Sequence, residues 1–166
     1  MKAIEQIMRR NIIMKEMFAH FTGENAAEYN LLSQKGMNQI RIKLGKKHIK
    51  DSDWTYIREI LSAHNVIVLE PVVPDAKLFV REHVLYDNGI MVAFTNIEDC
   101  RGYVNTINKR DSAPNRLFQL GTMPFDAVIG IARKYDADLY IDLQIKENAK
   151  FMVYYQQEDR MDTISI

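Results

Sequence analysis

VLYDNGIMVAFTNIED, residues 84–99, is the passage on which the fold turns. Asn88-Gly89 supplies the two positive φ angles that a tight type I′ hairpin needs. β-rich text stands on both sides: Lys77 to Tyr86, with Leu78, Val80, Val84 and Leu85, and Ile90 to Phe94. Directly afterwards, Thr95 or Asn96 can cap a helix running to about Asn108. Glu98 or Asp99 then falls in its first turn, where the helix dipole favours an acid. A hairpin passing straight into a helix predicts an α+β chain.

Towards the C-terminus, residues 111–115 form a loop and Leu117 to Leu120 reads as a short strand. Pro124 suits a first helical position. Phe125, Val128, Ile129, Ala132 and Tyr135 then make one apolar face of a helix ending near Tyr135. Leu139 to Leu143 and Phe151 to Tyr155 read as two strands joined by the polar stretch Lys146 to Lys150. From Gln156 the text predicts a frayed tail. Phe94, Phe125, Val128 and Ile141 are expected to share one core.

Towards the N-terminus, Val66 to Leu69 is a short strand closed by Pro71 and Pro74. Before it, any of Asp51, Ser52 and Asp53 can cap a helix with the stripe Trp54, Ile57, Ile60 and Leu61. Met37 to Leu44 fits two periods. As a strand, Ile40, Ile42 and Leu44 alternate with Arg41 and Lys43; as a helix, Met37, Ile40 and Leu44 share a face. Helical text on both sides favours the helix. Earlier still, a helix is expected over 24–33, with Gly36 breaking its pattern. Another is expected over Lys2 to Phe21, ended by Thr22-Gly23.

At 166 residues, with 47% hydrophobic and 27% charged side chains, the chain can close a core without a disulfide or metal and is not globally disordered. Its single cysteine, Cys100, excludes an intrachain disulfide. Glu98 and Asp99 beside it would raise a thiol pKa, so a plain, partly buried residue is expected rather than a nucleophile. No signal-peptide pattern opens the chain and no apolar run can span a bilayer, so a cytoplasmic address and no membrane contact are expected.

The text from Leu78 to Tyr155 resembles the SseB-type domain, the family named for enhanced serine sensitivity. The matching motifs are Val92-Ala93-Phe94-Thr95, the helix opening Asn96-Ile97-Glu98, then Met123-Pro124-Phe125-Asp126-Ala127-Val128, and the helix-to-strand passage Ala132 to Leu143. Two positions depart from that pattern. Ala93 stands where the family often has a proline, and Leu143-Gln144 occupies the region of its Asn-Pro. The resemblance implies a fold and a non-enzymatic interaction or accessory role, with no catalytic residues and no cofactor.

Candidate chemistry is sparse. His20, His48, His64 and His83 show no metal-ligand spacing. On a strand, Asp138, Tyr140 and Asp142 would share a face, so Asp138 and Asp142 are the candidates for a hydrolase or transferase site. Turn and solvent positions explain them as well. Charge is more telling. Residues 1–50 carry ten Lys and Arg against four acids, and the remainder carries twelve against eighteen. Lys35, Arg41, Lys43, Lys46, Lys47 and Lys50 run without an intervening acid and form the candidate polyanion-binding segment. A solvated face, docking on an acidic surface of the same or a second molecule, and nucleic-acid binding are the three outcomes open to them. The acids of the tail, Glu158, Asp159 and Asp162, are rival partners.

The expected architecture is therefore a helical N-terminal region (1–75) with one short strand. An SseB-like α+β domain (76–157), a mixed sheet with two covering helices, comes next, and then a tail (158–166). A protein partner or self-association is the leading expectation, with nucleic acid as the alternative.

Overall fold

The computed structural model describes residues 27–113 and 116–165. The helix expected over Lys2 to Phe21 lies outside them. The first described residues correct the helix expected over 24–33. Residues 27–30 form a turn in which the Asn30 N–H donates to the Ala27 carbonyl at 3.2 Å, and Asn30 adopts a left-handed φ of 54°. The helix starts later because Ser33 caps it, its hydroxyl accepting the Gly36 N–H at 3.1 Å. Helix α1 (Gln34–Leu44) follows and buries Met37 and Ile40. Residues 37–44 are thus helical, and Gly36 lies inside the first turn rather than breaking it.

Helix α2 (Asp51–Ser62) buries Ile57 and Leu61. Its cap corrects expectation too. Lys50 occupies the cap position, and Asp53 folds back to accept the Lys50 N–H at 3.0 Å. Strand β1 (Asn65–Pro71) leads to β2 (Leu78–Arg81), β3 (Val84–Asp87) and β4 (Ile90–Ala93). Asn88 and Gly89 turn between β3 and β4 with φ of 53° and 85°, as a primed hairpin turn requires. The single strand expected over 77–86 is two strands. Glu82 and His83, with φ of 51° and 71°, make a second such turn without a turn-forming residue in either place.

Asn96 caps helix α3 (Ile97–Arg110), its side chain accepting the Asp99 N–H at 2.9 Å. Strand β5 (Phe118–Pro124), helix α4 (Phe125–Lys134), β6 (Leu139–Ile141), β7 (Lys150–Tyr155) and β8 (Arg160–Ser165) complete the order. Pro124 stands at the cap of α4, one place before the first helical position. The tail expected from Gln156 is corrected: β8 pairs along the whole of β7, from Lys150–Ser165 to Tyr155–Arg160.

The main sheet runs β2-β3-β4-β6-β7-β8, antiparallel except for the β4–β6 pair. β1 and β5 form a separate antiparallel ladder, tied to the end of β4 by reciprocal Ile67–Phe94 hydrogen bonds of 2.7 and 3.0 Å. Alternation along the strands divides the apolar residues between two faces. Met91, Ala93, Leu139, Ile141, Met152 and Tyr154 pack with α1, α2 and α4. Leu85, Val92, Phe94 and Phe151 pack with α3. Hence Phe94 does not join Phe125, Val128 and Ile141. It lies one residue beyond Ala93 on β4's line, so it points to the opposite face. Both cores draw on residues from either side of position 75.

Candidate functional site

The parallel seam sets up a cleft. β4 and β6 point the same way, so their carboxyl ends open together beside the N-terminus of α3, a location where open α/β sheets commonly seat ligands. Two residues past β4 is Thr95, and one past β6 is Asp142, in a left-handed conformation with φ 60°. The Asp142 N–H donates to the Ala93 carbonyl at 3.0 Å, holding the chain at the seam. This turn out of the strand corrects the expectation that Asp138, Tyr140 and Asp142 share one strand face. β6 stops at Ile141, and Asp138 accepts the Gln156 N–H at 3.1 Å elsewhere.

Asp142 is gripped by one residue. Thr95 donates its N–H to one carboxylate oxygen at 2.7 Å and its hydroxyl to the other at 2.6 Å. Asn96 donates to the Thr95 hydroxyl oxygen and to Asp99. Gln144 donates to the Asp99 carbonyl at 2.7 Å and to its neighbour Leu143 at 2.9 Å. Its amide oxygen lies 2.7 Å from where a Cβ on Gly102 would stand, so a larger residue there would make the Gln144 side chain shift. α1 covers the cleft with Met37, Ile40, Arg41 and Leu44. Lys150 reaches from β7 to the Leu44 carbonyl at 2.6 Å, holding the end of α1 in place. The cleft, open to solvent on one side, has a volume of about 340 Å³.

The electrostatics are unequal. Burial and then the neighbouring Asp99 push the Asp142 carboxyl up to about 7, against the pull of the Thr95 hydrogen bonds and of Arg41. Cys100 is fully buried, and burial followed by Asp142 and Asp99 drives its thiol upward. It therefore serves as packing, not as a nucleophile. Among the described residues no group of three His, Cys, Asp or Glu is placed to hold a metal ion.

The six basic residues named from the sequence are differently engaged. Lys43 and Lys46 both pair with Asp53, at 3.2 and 2.7 Å, and together with the Lys50 N–H they hold that carboxyl well below the usual range. Arg41 turns to the cleft instead, while Lys35, Lys47 and Lys50 are exposed. The tail acids have other partners. Arg160 pairs with Glu158 and Asp162, and Asp159 accepts the Tyr154 hydroxyl. A wider concavity of about 530 Å³ lies between α2 and β8, and its Arg58, Arg160, Asp159 and Asp162 pair mainly with one another.

Thr95, Asp99 and Gln144 had no sequence signal as cleft residues. Thr95-Asn96 reads only as a cap, and Gln144 acquires its role by contact with Gly102. No family model, no curated protein and no solved structure matches the chain.

Proposed function

We propose that this chain is a non-catalytic interaction or accessory protein of SseB-like type, and that its working surface is the cleft at the β4–β6 seam. The observation that carries this reading is the grip on Asp142. A carboxylate held by two donors from one threonine, on a strained left-handed residue beside a second acid, is costly to maintain without a use. The groups around it fix one another's positions and bring no activated nucleophile to it, which favours holding a ligand over transforming one. The single buried cysteine fits a cytoplasmic setting, and no helix among the described residues is long and apolar enough to cross a membrane.

The cleft's volume admits one small molecule or one side chain of a protein partner. A fragment screen followed by amide chemical shifts tests this. Hits should move Thr95, Asp99, Asp142 and Gln144 together. A screen that leaves all four unmoved removes the reading. Nucleic-acid binding through the basic segment is the second reading, and the exposure of Lys35, Lys47 and Lys50 supports it. Titrating a labelled duplex at two salt concentrations separates the two. Several phosphate contacts produce a steep fall of affinity with salt.

A further inference from the structure

We infer that the cleft takes a small zwitterion with an aliphatic body. Its ammonium would sit on the Asp142–Asp99 pair, its carboxylate on Arg41, and its body on Met37, Ile40 and Leu44. This rests on the cleft being the working surface, and it adds the chemistry of the occupant.

Three observations converge. First, acceptors are left over on one wall. Each oxygen of Asp142 takes a single hydrogen bond from Thr95, and Asp99 takes one side-chain bond from Asn96, so lone pairs remain on both groups for an ammonium's three donors. Second, donors are left over on α1. Arg41 reaches the cleft from α1 and makes no side-chain hydrogen bond or ion pair with any described residue, although Lys43 and Lys46 nearby are both paired. A guanidinium offers a planar fork that matches a carboxylate. Third, Met37, Ile40 and Leu44 of α1 give the cleft an apolar lining beside these charges.

Charge selects among simpler occupants. A bare cation would meet Arg41 and the exposed Lys146 on the rim, and a bare anion would meet Asp99 and Asp142. Only a molecule carrying both signs satisfies both the acids and Arg41. The volume of about 340 Å³ stands at the small end of ligand pockets, which run from ~300 to 1,000 Å³. Protonation follows the same geometry. An arriving ammonium favours the ionised form of Asp142, so binding near neutral pH releases a proton and tightens as pH rises through 7. Asp99 on α3 and Arg41 on α1 oppose each other in setting that midpoint. Lys150 is occupied with the Leu44 carbonyl, and Lys146 lies exposed on the rim.

The test uses the full chain with three probes, L-leucine, L-leucinamide and N-acetyl-L-leucine, followed by amide shifts and calorimetry at pH 7.5. The leucine zwitterion should bind at least tenfold more tightly than either blocked form. Arg41→Gln should reduce leucine binding about tenfold while leaving leucinamide unchanged. Asp142→Asn should weaken leucine and leucinamide alike. Arg41 is exposed, so its variant keeps the fold, and unchanged amide shifts in the β3–β4 hairpin check this. A blocked probe that matches leucine, or an Arg41→Gln protein that binds leucine normally, overturns the inference. If leucine leaves the cleft untouched while screening fragments still move Thr95 and Asp142, the zwitterion falls and the cleft reading stands. If nothing moves them, both fall.

Discussion

Helix α3 has carboxylates at both ends, and they are in opposite conditions. At its C-terminal end, Asp87 accepts the Tyr103 hydroxyl at 2.5 Å and a forked pair of Arg110 bonds at 3.0 and 3.1 Å. Asp111 takes Arg110 and Arg116, and Arg116 reaches on to Asp75 at 2.9 Å. Arg110 and then Arg116 hold the Asp111 carboxyl well below the ordinary carboxylate range. At the N-terminal end, Asp142 is pushed up by burial and Asp99, and no cation among the described residues is bonded to it. Both ends shelter acids beside one helix. One end matches each acid with a fixed partner, so it ties the β3–β4 hairpin to the helix. The other leaves its acids short of positive charge, so it has capacity for a ligand. The lesson is that burial of a charge does not identify a site; a deficit in its partners does.

The largest effect should come from breaking the matched end. Asp87→Ala leaves the Tyr103 hydroxyl without its acceptor and takes from Arg110 its two bonds to Asp87, leaving it only Asp111, and should cost about 3 kcal/mol in urea unfolding. An unchanged midpoint would show that the network is ornamental and remove half of the contrast.

Asp142→Asn should act in the opposite direction. A carboxyl raised to about 7 in the folded state, against ~3.9 unfolded, binds its proton more tightly when folded. Its contribution is therefore favourable at low pH and is lost as pH rises from about 4 to 7. Asparagine keeps an acceptor for the Thr95 N–H and tolerates a left-handed φ. The variant should be about 2 kcal/mol more stable than the parent at pH 8 and equal to it near pH 4. Urea midpoints at the two pH values decide this. Asp111 has the reverse sign: its lowered pKa stabilises above about pH 4, and the benefit disappears on acidification. The two ends of one helix should thus respond to pH in opposite senses.

Two smaller effects concern the hairpins attached to the matched end. Gly89→Val forces a β-branched residue to a φ of 85° and should cost about 1–2 kcal/mol. Replacing Glu82-His83 by Asn-Gly should gain about 1 kcal/mol, since two residues now held at positive φ become ones that favour it. The exposed pairs lost with them, Lys134–Glu82 and His83–Glu70, offset little of that gain. Thermal unfolding of both variants ranks the turns.

These turns also show what was legible from the residues. Asn88-Gly89 announces itself because its signal is local, and so does the Asn96 cap. Glu82-His83 carries no such signal. It is bent by the pairing of β2 with β3, Leu78 opposite Asp87 through Arg81 opposite Val84, which only the folded sheet supplies. β8 escaped notice for the same reason. Its Met161 is buried, but the surrounding Arg160, Asp162 and Thr163 read as polar tail until β7 provides a partner. The cleft was half visible. Arg41 and Asp142 were each singled out, for unrelated reasons, and the packing of α1 across the β4–β6 seam is what makes them neighbours.

That seam also sets an order in time. β2, β3 and β4 join through two-residue turns, and such hairpins close within microseconds. β4 and β6 run parallel, so α3, β5 and α4 must all be laid down before their edges can meet, and long closures of this kind are slow. During synthesis both hairpins can exist before Asp142 has been added to the chain. The cleft is thus among the last features to be assembled, and its occupation would report a chain that has finished folding.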